Sequence, residues 1–318
     1  MLSPTWPESE ATTAGHGSSS CEYPSSLWSV AITLTKALIS EGAFTTLVGL
    51  LAWTIIPDWP ETAKFLTEEE REMVLSRLRI DVADAKMDRL DKSAAKRVFT
   101  DWKVYINILM YMSVVNSSYA LSFFTPTIIN EMGYQAEAAQ IRSIPVFVVA
   151  AIASVATAAW SDKIKHRFSF IVGGILIATA GYGIMLAYDT VSTGAKYAAL
   201  FLVVSGGFIA QPVVIAWAQN NTAGHYKRSI SSAMMIGFGN CGGIIASNIY
   251  ITGERPQYPT GLGVSLGLLW VCVIASAVFF VGMKWENKRR DRGERDALLG
   301  GPDGDNLGDD HPNFRYTF

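Results

Sequence analysis

The spacing of its charges limits this chain more than any other feature. Asp, Glu, Lys and Arg make up only 17% of its 318 residues, and they fall in a few blocks separated by apolar stretches. Each stretch is close to the ~20 helical residues needed to cross a hydrocarbon core about 30 Å thick. Seven such intervals stand at 39–56, 104–129, 144–160, 168–187, 197–217, 233–251 and 262–283. Glu41 interrupts the first, the weakest of the set, and the mildly apolar stretch 27–38 before it carries Lys36 and is not counted. None of the seven sustains the alternation of a strand, and a helix satisfies every backbone group internally, as lipid demands. The expectation is an all-α membrane protein with about seven transmembrane helices. Gly173, Gly174, Gly181 and Gly183 share one interval, and Gly237, Gly239, Gly242 and Gly243 share another. So much Gly would weaken a helix in water, but within a bilayer it lets neighbouring helices approach closely.

The connecting segments give the orientation. Nine Lys or Arg residues lie between Lys64 and Arg97, and none lies in 130–140. Lys163, Lys165 and Arg167 follow, then none in 189–195, then Lys227 and Arg228. The segment 253–261 holds only Arg255, and the tail opens with Lys284, Lys288, Arg289, Arg290, Arg292 and Arg295. Basic connectors alternate with poor ones, so the positive-inside tendency places the long loop and the tail in the cytosol. The amino end then lies outside if all seven intervals insert. Residues 1–26, rich in Ser, Thr, Glu, Pro and Gly, read as disordered, and they lack the basic leader and cleavage site of a signal peptide. The expected organisation is an atypical or disordered leader over 1–38, a first crossing over 39–57, a cytosolic loop over 58–102, a six-helix bundle over 103–285 and a disordered tail over 286–318. Within the loop, Thr67 to Glu70 has the capping-box pattern. Met73, Val74 and Leu78 follow it, giving either an amphipathic helix on the membrane surface or a solvated charged helix.

Little here points to an enzyme. Cys21, Cys241 and Cys272 make no disulfide framework, His166 and His225 have no partners for a metal, and no nucleophile–base arrangement or phosphate-cradling loop is present. No cofactor, metal or nucleic-acid partner is expected, and the net charge of −2 suits no polyanion. Polar residues inside apolar spans are costly and tend to face a cavity or a neighbouring helix. Asn116 and Tyr119, with Ser117 and Ser118, interrupt the second interval about halfway along, and Asn116 and Tyr119 share a helix face. Gln211 and Pro212 interrupt the fifth interval, and Asn240 and Asn248 the sixth. Asn116, Tyr119, Gln211 and Asn240 are the candidates for a substrate cavity; helix packing, or a proline kink at Pro212, is the competing reading of each. Asn116-Ser117-Ser118 and Asn220-Asn221-Thr222 fit the glycosylation pattern, but membrane depth discounts the first and the cytosolic side the second. No charged residue lies well inside the second to seventh intervals, which leaves no proton carrier there.

Several stretches resemble a known family. Glu41-Gly42 and Gly49 through Ile56-Pro57-Asp58-Trp59-Pro60-Glu61 are similar to the end of the sixth helix of fungal allantoate-permease-type transporters, the anion:cation symporter branch of the major facilitator superfamily. Ala63 through Arg71 resembles that family's central loop, and Phe124-Thr125-Pro126-Thr127-Ile128-Ile129 with Met132-Gly133-Tyr134 the end of its seventh helix. Trp217-Ala218-Gln219-Asn220-Asn221 with Gly224-His225 and Lys227-Arg228 resembles the loop after its tenth, and Asn313-Phe314-Arg315-Tyr316 a common ending. Asp162, Lys163, Lys165 and Arg167 resemble the second-half copy of the superfamily's Asp-and-basic loop. With Arg228, the resemblance makes Asp162, Lys163 and Arg167 candidates for a conformational latch, although ordinary positive-inside topology explains them equally. Such families have twelve helices in two similar halves around a central cavity, so the chain corresponds to helices six to twelve. The resemblance implies a plasma-membrane transporter of a small organic anion or metabolite, by alternating access, with protons as the candidate co-substrate. The alternative expectation is a truncated, transport-inactive membrane protein with a regulatory role or none. The oligomeric state is not legible.

Overall fold

The computed structural model describes residues 25–56, 63, 65–82, 87, 89, 92–301, 304 and 306–318. The amino-terminal part of the expected leader, 1–24, lies outside the described residues. The chain divides into two units, 1–75 and 76–318. Helix α1 (Ser25–Ile55) belongs to the first. It starts well ahead of Ile39, because a lone Lys36 lowers hydropathy without breaking the backbone ladder and Lys is a good helix former. The leader expected over 1–38 is therefore helical from Ser25 on. Helix α2 (Glu68–Val82) begins at the expected capping box. The Thr67 amide donates to Glu70 Oε2 at 3.0 Å and the Glu70 amide to Thr67 Oγ1 at 3.4 Å, satisfying two end groups reciprocally. Met73 is exposed, whereas Val74 and Leu75 are half-buried.

The second unit contains α3 (Lys92–Thr100), α4 (Trp102–Glu131), α5 (Ala136–Ile164), α6 (Arg167–Leu186), α7 (Thr193–Asn220), α8 (His225–Gly239), α9 (Cys241–Ile249) and α10 (Pro259–Asp291). The described residues include no strand. Among them, six helical spans are long and apolar enough to cross a bilayer: α4, α5, α6, α7, the joined pair α8 and α9, and α10. The first of the seven expected intervals, Ile39–Ile55, is a shorter apolar helix. The interval expected over 233–251 divides at Asn240, which separates α8 from α9.

Helix α4 is the hub, packing against α5, α7, α8, α9 and α10. The core around it includes Trp217, Tyr182 and Phe279, all fully buried. On the outside, α5 exposes Ile152 and Val155, and α10 exposes Ile274 and Val281. A surface of large apolar side chains on a tightly packed bundle is what a helix facing hydrocarbon presents. The closest helix approach is between α6 and α7, at Gly206. A Cβ there would stand 2.5 Å from the Gly174 carbonyl oxygen and 2.6 Å from the Ala178 amide, so the two backbones meet with no side chain between them.

The carboxyl-terminal segment departs from expectation. Expected to be unstructured because it is rich in Gly and Asp, it instead packs against the basic end of the bundle, with Leu307, Asp309, His311 and Tyr316 buried. The physical reason is that its acids have partners: Asp309 meets two lysines of the bundle, and Tyr316 and Phe318 supply apolar anchors.

Replacing Gly206 by Val should cost about 1–3 kcal/mol through overpacking at the α6–α7 contact. It should lower the thermal midpoint of the detergent-solubilised protein. Gly173→Ala is the control, because nothing lies within 4 Å of a Cβ there. Equal losses from both would contradict this account of the contact.

Candidate functional site

Polar residues gather at two depths. At mid-span, three consecutive residues of α4 reach three different helices. Asn116 Nδ2 donates to Ser265 Oγ of α10 at 3.4 Å, Ser117 Oγ and the Tyr182 hydroxyl of α6 lie 3.0 Å apart, and Ser118 Oγ donates to Gln211 Oε1 of α7 at 3.0 Å. Successive helical residues point roughly 100° apart, so neighbours in sequence serve separate interfaces. Asn116 is fully buried and its Oδ1 has no hydrogen-bond partner. One residue beyond Ser118, Tyr119 returns to an open face of the bundle: it is 39% exposed, stacks on Phe123 with ring centroids 5.9 Å apart, and its hydroxyl donates to Asn240 Oδ1 at 3.5 Å. The structure thus joins Tyr119 to Asn240 and Gln211 to Ser118, while Asn116 turns inward toward α10. Asn248 donates to the Ile244 carbonyl of its own helix at 2.7 Å.

At the basic end, the latch candidates are dispersed. Arg167 Nη2 pairs with Asp162 Oδ1 at 2.9 Å, but Asp162 is largely exposed, and such a pair contributes about 0.2–1 kcal/mol. Lys163 is exposed. Arg228 is exposed and donates from Nε to the Thr222 carbonyl at 3.1 Å, closing the turn between α7 and α8.

The buried charge lies beside these residues. Lys227, 1% exposed in its side chain, stands 2.6 Å from Asp309 Oδ1 and 2.7 Å from Asp101 Oδ2. Lys103 meets the other Asp309 oxygen, lies 3.2 Å from Asp101 and donates to the Tyr316 hydroxyl at 2.6 Å. The Tyr316 hydroxyl donates in turn to Asp309 Oδ2 at 3.1 Å. Arg290 clamps the tail through the Phe314 and Asp309 carbonyls, at 2.6 and 2.7 Å. Two ammonium groups and two carboxylates therefore close a buried quartet between the starts of α4 and α8 and the tail. Burial pushes the Asp309 carboxyl up, but the charges and hydrogen bonds of Lys103 and Lys227 outweigh it and hold the group well below the ordinary carboxylate range. Burial, and then the Asp309 charge, push the Tyr316 phenol upward, so it stays protonated and remains a donor.

The rest of the tail is tied down by backbone. Thr317 exchanges two bonds with Asn221, from its amide to Oδ1 at 2.8 Å and from Nδ2 to its carbonyl at 3.1 Å, and Trp217 Nε1 donates to that carbonyl at 2.9 Å. Tyr316 exchanges two more with Asn287, each at 3.0 Å. Met87 is packed against Gly224, which has φ +88°; a Cβ at that glycine would overlap the Met87 side chain. Sequence reasoning does not single out Lys103, Asp101, Lys227, Asp309 or Tyr316 as a unit. The available signal is the pair of family-like segments around 217–228 and 313–316, which touch in the folded chain. Among the described residues, no three His, Cys, Asp or Glu side chains are grouped to hold a metal.

Because the folded Asp309 is held below its ordinary 3.8, its contribution to stability is complete above that pH and is lost as pH falls further. The thermal midpoint should carry no Asp309 contribution to its slope between pH 8 and 5. Asp309→Asn should cost about 3–5 kcal/mol at neutral pH by leaving buried lysines underpaired, and should remove part of the loss below pH ~4. An unchanged midpoint at neutral pH would contradict the quartet.

Comparison with known proteins places these features in context. The family model described as Major Facilitator Superfamily matches residues 27–247. An uncharacterized transporter of Schizosaccharomyces pombe is 32% identical over 282 residues, 87% of this chain and 55% of that protein. A major facilitator-type transporter of Emericella nidulans is 28% identical over 283 residues, 87% of this chain and 57% of that one. A high-affinity nicotinic acid transporter of Saccharomyces cerevisiae is 26% identical over 267 residues, 81% and 48% respectively. The chain spans about half the length of the curated relatives it matches. No solved structure matches it significantly.

Proposed function

This chain belongs to the Major Facilitator Superfamily, and from that premise we propose that it forms the helix-six-to-twelve portion of a transporter for a small organic anion. It is a multi-pass membrane protein, and its named relatives are transporters rather than enzymes. The observation that carries the narrower reading is the open polar face formed by Tyr119 and Asn240, next to the Ser118–Gln211 pair, on helices that are otherwise apolar. No Lys or Arg stands in the middle of these spans. A carboxylate solute would therefore be held by hydroxyl and amide donors, of which Tyr119, Asn240 and Gln211 supply several. Neutral donors bind an anion weakly enough to release it, which a carrier requires.

Under this reading Asn116 positions rather than contacts, since it is buried against α10. The basic end faces the cytosol, following the distribution of Lys and Arg, the protein resides in the plasma membrane, and protons are the co-substrate. The Asp162–Arg167 pair, with Lys163 beside it and Arg228 at the α7–α8 corner, acts as the latch that favours one conformer. Residues 63–71 and the ending at 313–316 support the allantoate-permease branch, and the nicotinic acid transporter among the relatives supports a carboxylate.

Proteoliposomes carrying the full chain should accumulate labelled nicotinate or allantoate faster than protein-free vesicles, with glucose excluded. Tyr119→Phe with Asn240→Ala should reduce that uptake about tenfold, the equivalent of one hydrogen bond to a charged group. Asn248→Ala should leave it unchanged. Absence of any organic-anion uptake above the blank would overturn the reading for this chain.

A further inference from the structure

Three hollows at the basic end run into one another. The first is an apolar slot of about 480 Å³ on the outer face of α10, lined by Trp102, Ala277, Val278, Val281, Gly282 and Trp285. Trp102 also lines a second hollow of about 200 Å³, which reaches inward to Lys103 and Tyr316. Arg97, Thr100, Arg295 and Asp310 are shared between that hollow and a third of about 450 Å³, where Lys96 and Leu298 complete the wall. An apolar groove thus opens at one end into a polar chamber.

The slot depends on Gly282. The Trp102 indole lies over that glycine, where a Cβ would overlap it, and Trp285 flanks the opening three residues later. Both indoles are substantially exposed, at 44% and 58%, as are Val278 and Val281 at 51% and 63%. Exposed Trp residues at the end of an apolar span mark the boundary between hydrocarbon and headgroups. The outer chamber presents Lys96, Arg97 and Arg295 against a single lining carboxylate, Asp310. Arg289 adds a cation at the mouth of the slot, 4.8 Å from the Trp285 ring. Arg295 pairs with Glu286 at 2.7 Å, and Lys96 and Arg97 bring two further cations to the wall.

We propose that this is a binding site for an anionic phospholipid of the leaflet on the basic side. One acyl chain lies in the slot between Trp102 and Trp285, and the headgroup phosphate sits with Lys96 and Arg97. A zwitterionic lipid would fill the slot equally but compensate the chamber less, and a soluble anion would use the chamber and leave the slot empty. Basic pockets between helices on the cytoplasmic side are the setting in which anionic headgroups are held. The lipid would bridge α3, the start of α4 and the end of α10, beside the buried quartet.

Native mass spectrometry of the full chain in detergent tests this with phosphatidylserine, phosphatidylcholine of the same acyl chains, and inorganic phosphate. Phosphatidylserine should be retained at least fivefold more strongly than phosphatidylcholine, since each basic residue near a headgroup contributes about fivefold. Lys96→Gln with Arg97→Gln should bring the two lipids level, and Val278→Trp, which fills the slot from its lipid-facing side, should weaken both. Equal retention of the two lipids by the unaltered chain overturns the site. Displacement of phosphatidylserine by inorganic phosphate at equal concentration also overturns it, by identifying a soluble-anion chamber. Those two comparisons need no variant, so a substitution that folds poorly leaves the test intact.

Discussion

The second unit is held together at its basic end by the burial of four charges in one place. Taking an ion out of water costs several kcal/mol, and only a partner at close range with its remaining hydrogen bonds satisfied offsets that cost. Lys103, Lys227, Asp101 and Asp309 meet this condition jointly: each carboxylate touches both ammonium groups. No single helix supplies all four, so the arrangement exists only when α4, α8 and the tail are assembled. Tyr316 and Arg290 then hold the tail in register. The quartet is therefore both a consequence of the fold and a condition on it.

A second anchor lies deeper, where α4 spends three successive polar residues on three neighbours. Charge at the end of the helix and hydroxyl–amide bonds at its middle fix its rotation at two heights. Helices pinned in this way move together more readily than they slide past one another, which suits the rigid-body rocking by which repeat halves alternate access. The residues left outside both anchors, Tyr119 and Asn240, occupy an open face and remain available to a solute. In this arrangement, rigidity and binding are assigned to different residues of the same helices.

Most of the fold is legible in the sequence because lipid imposes a length and forbids charge, and both are visible along a linear chain. Six of the seven expected intervals fall within helical spans long and apolar enough to cross a bilayer. Hydropathy misplaces the start of α1 because it registers Lys36 while the backbone ladder does not. The tail escapes it for a deeper reason. Asp309 looks solvating in a Gly- and Asp-rich run, and the lysine that neutralises it, Lys103, lies 206 positions earlier. The site is legible to a similar degree: the polar identity of Asn116, Tyr119, Gln211 and Asn240 can be read, but their pairing cannot. Beside Arg228, the more consequential residue is Lys227, and only burial distinguishes two adjacent cations.

A double-mutant cycle across Lys227 and Asp309, read as thermal or denaturant unfolding of the detergent-solubilised chain, addresses the quartet most directly. Lys227→Met and Asp309→Leu should each be strongly destabilising because each strands a buried partner. Together they should cost less than the sum by at least about 1 kcal/mol, the signature of residues in one ion-pair network. Losses that add within about 0.5 kcal/mol, as for distant and independent positions, would contradict the account.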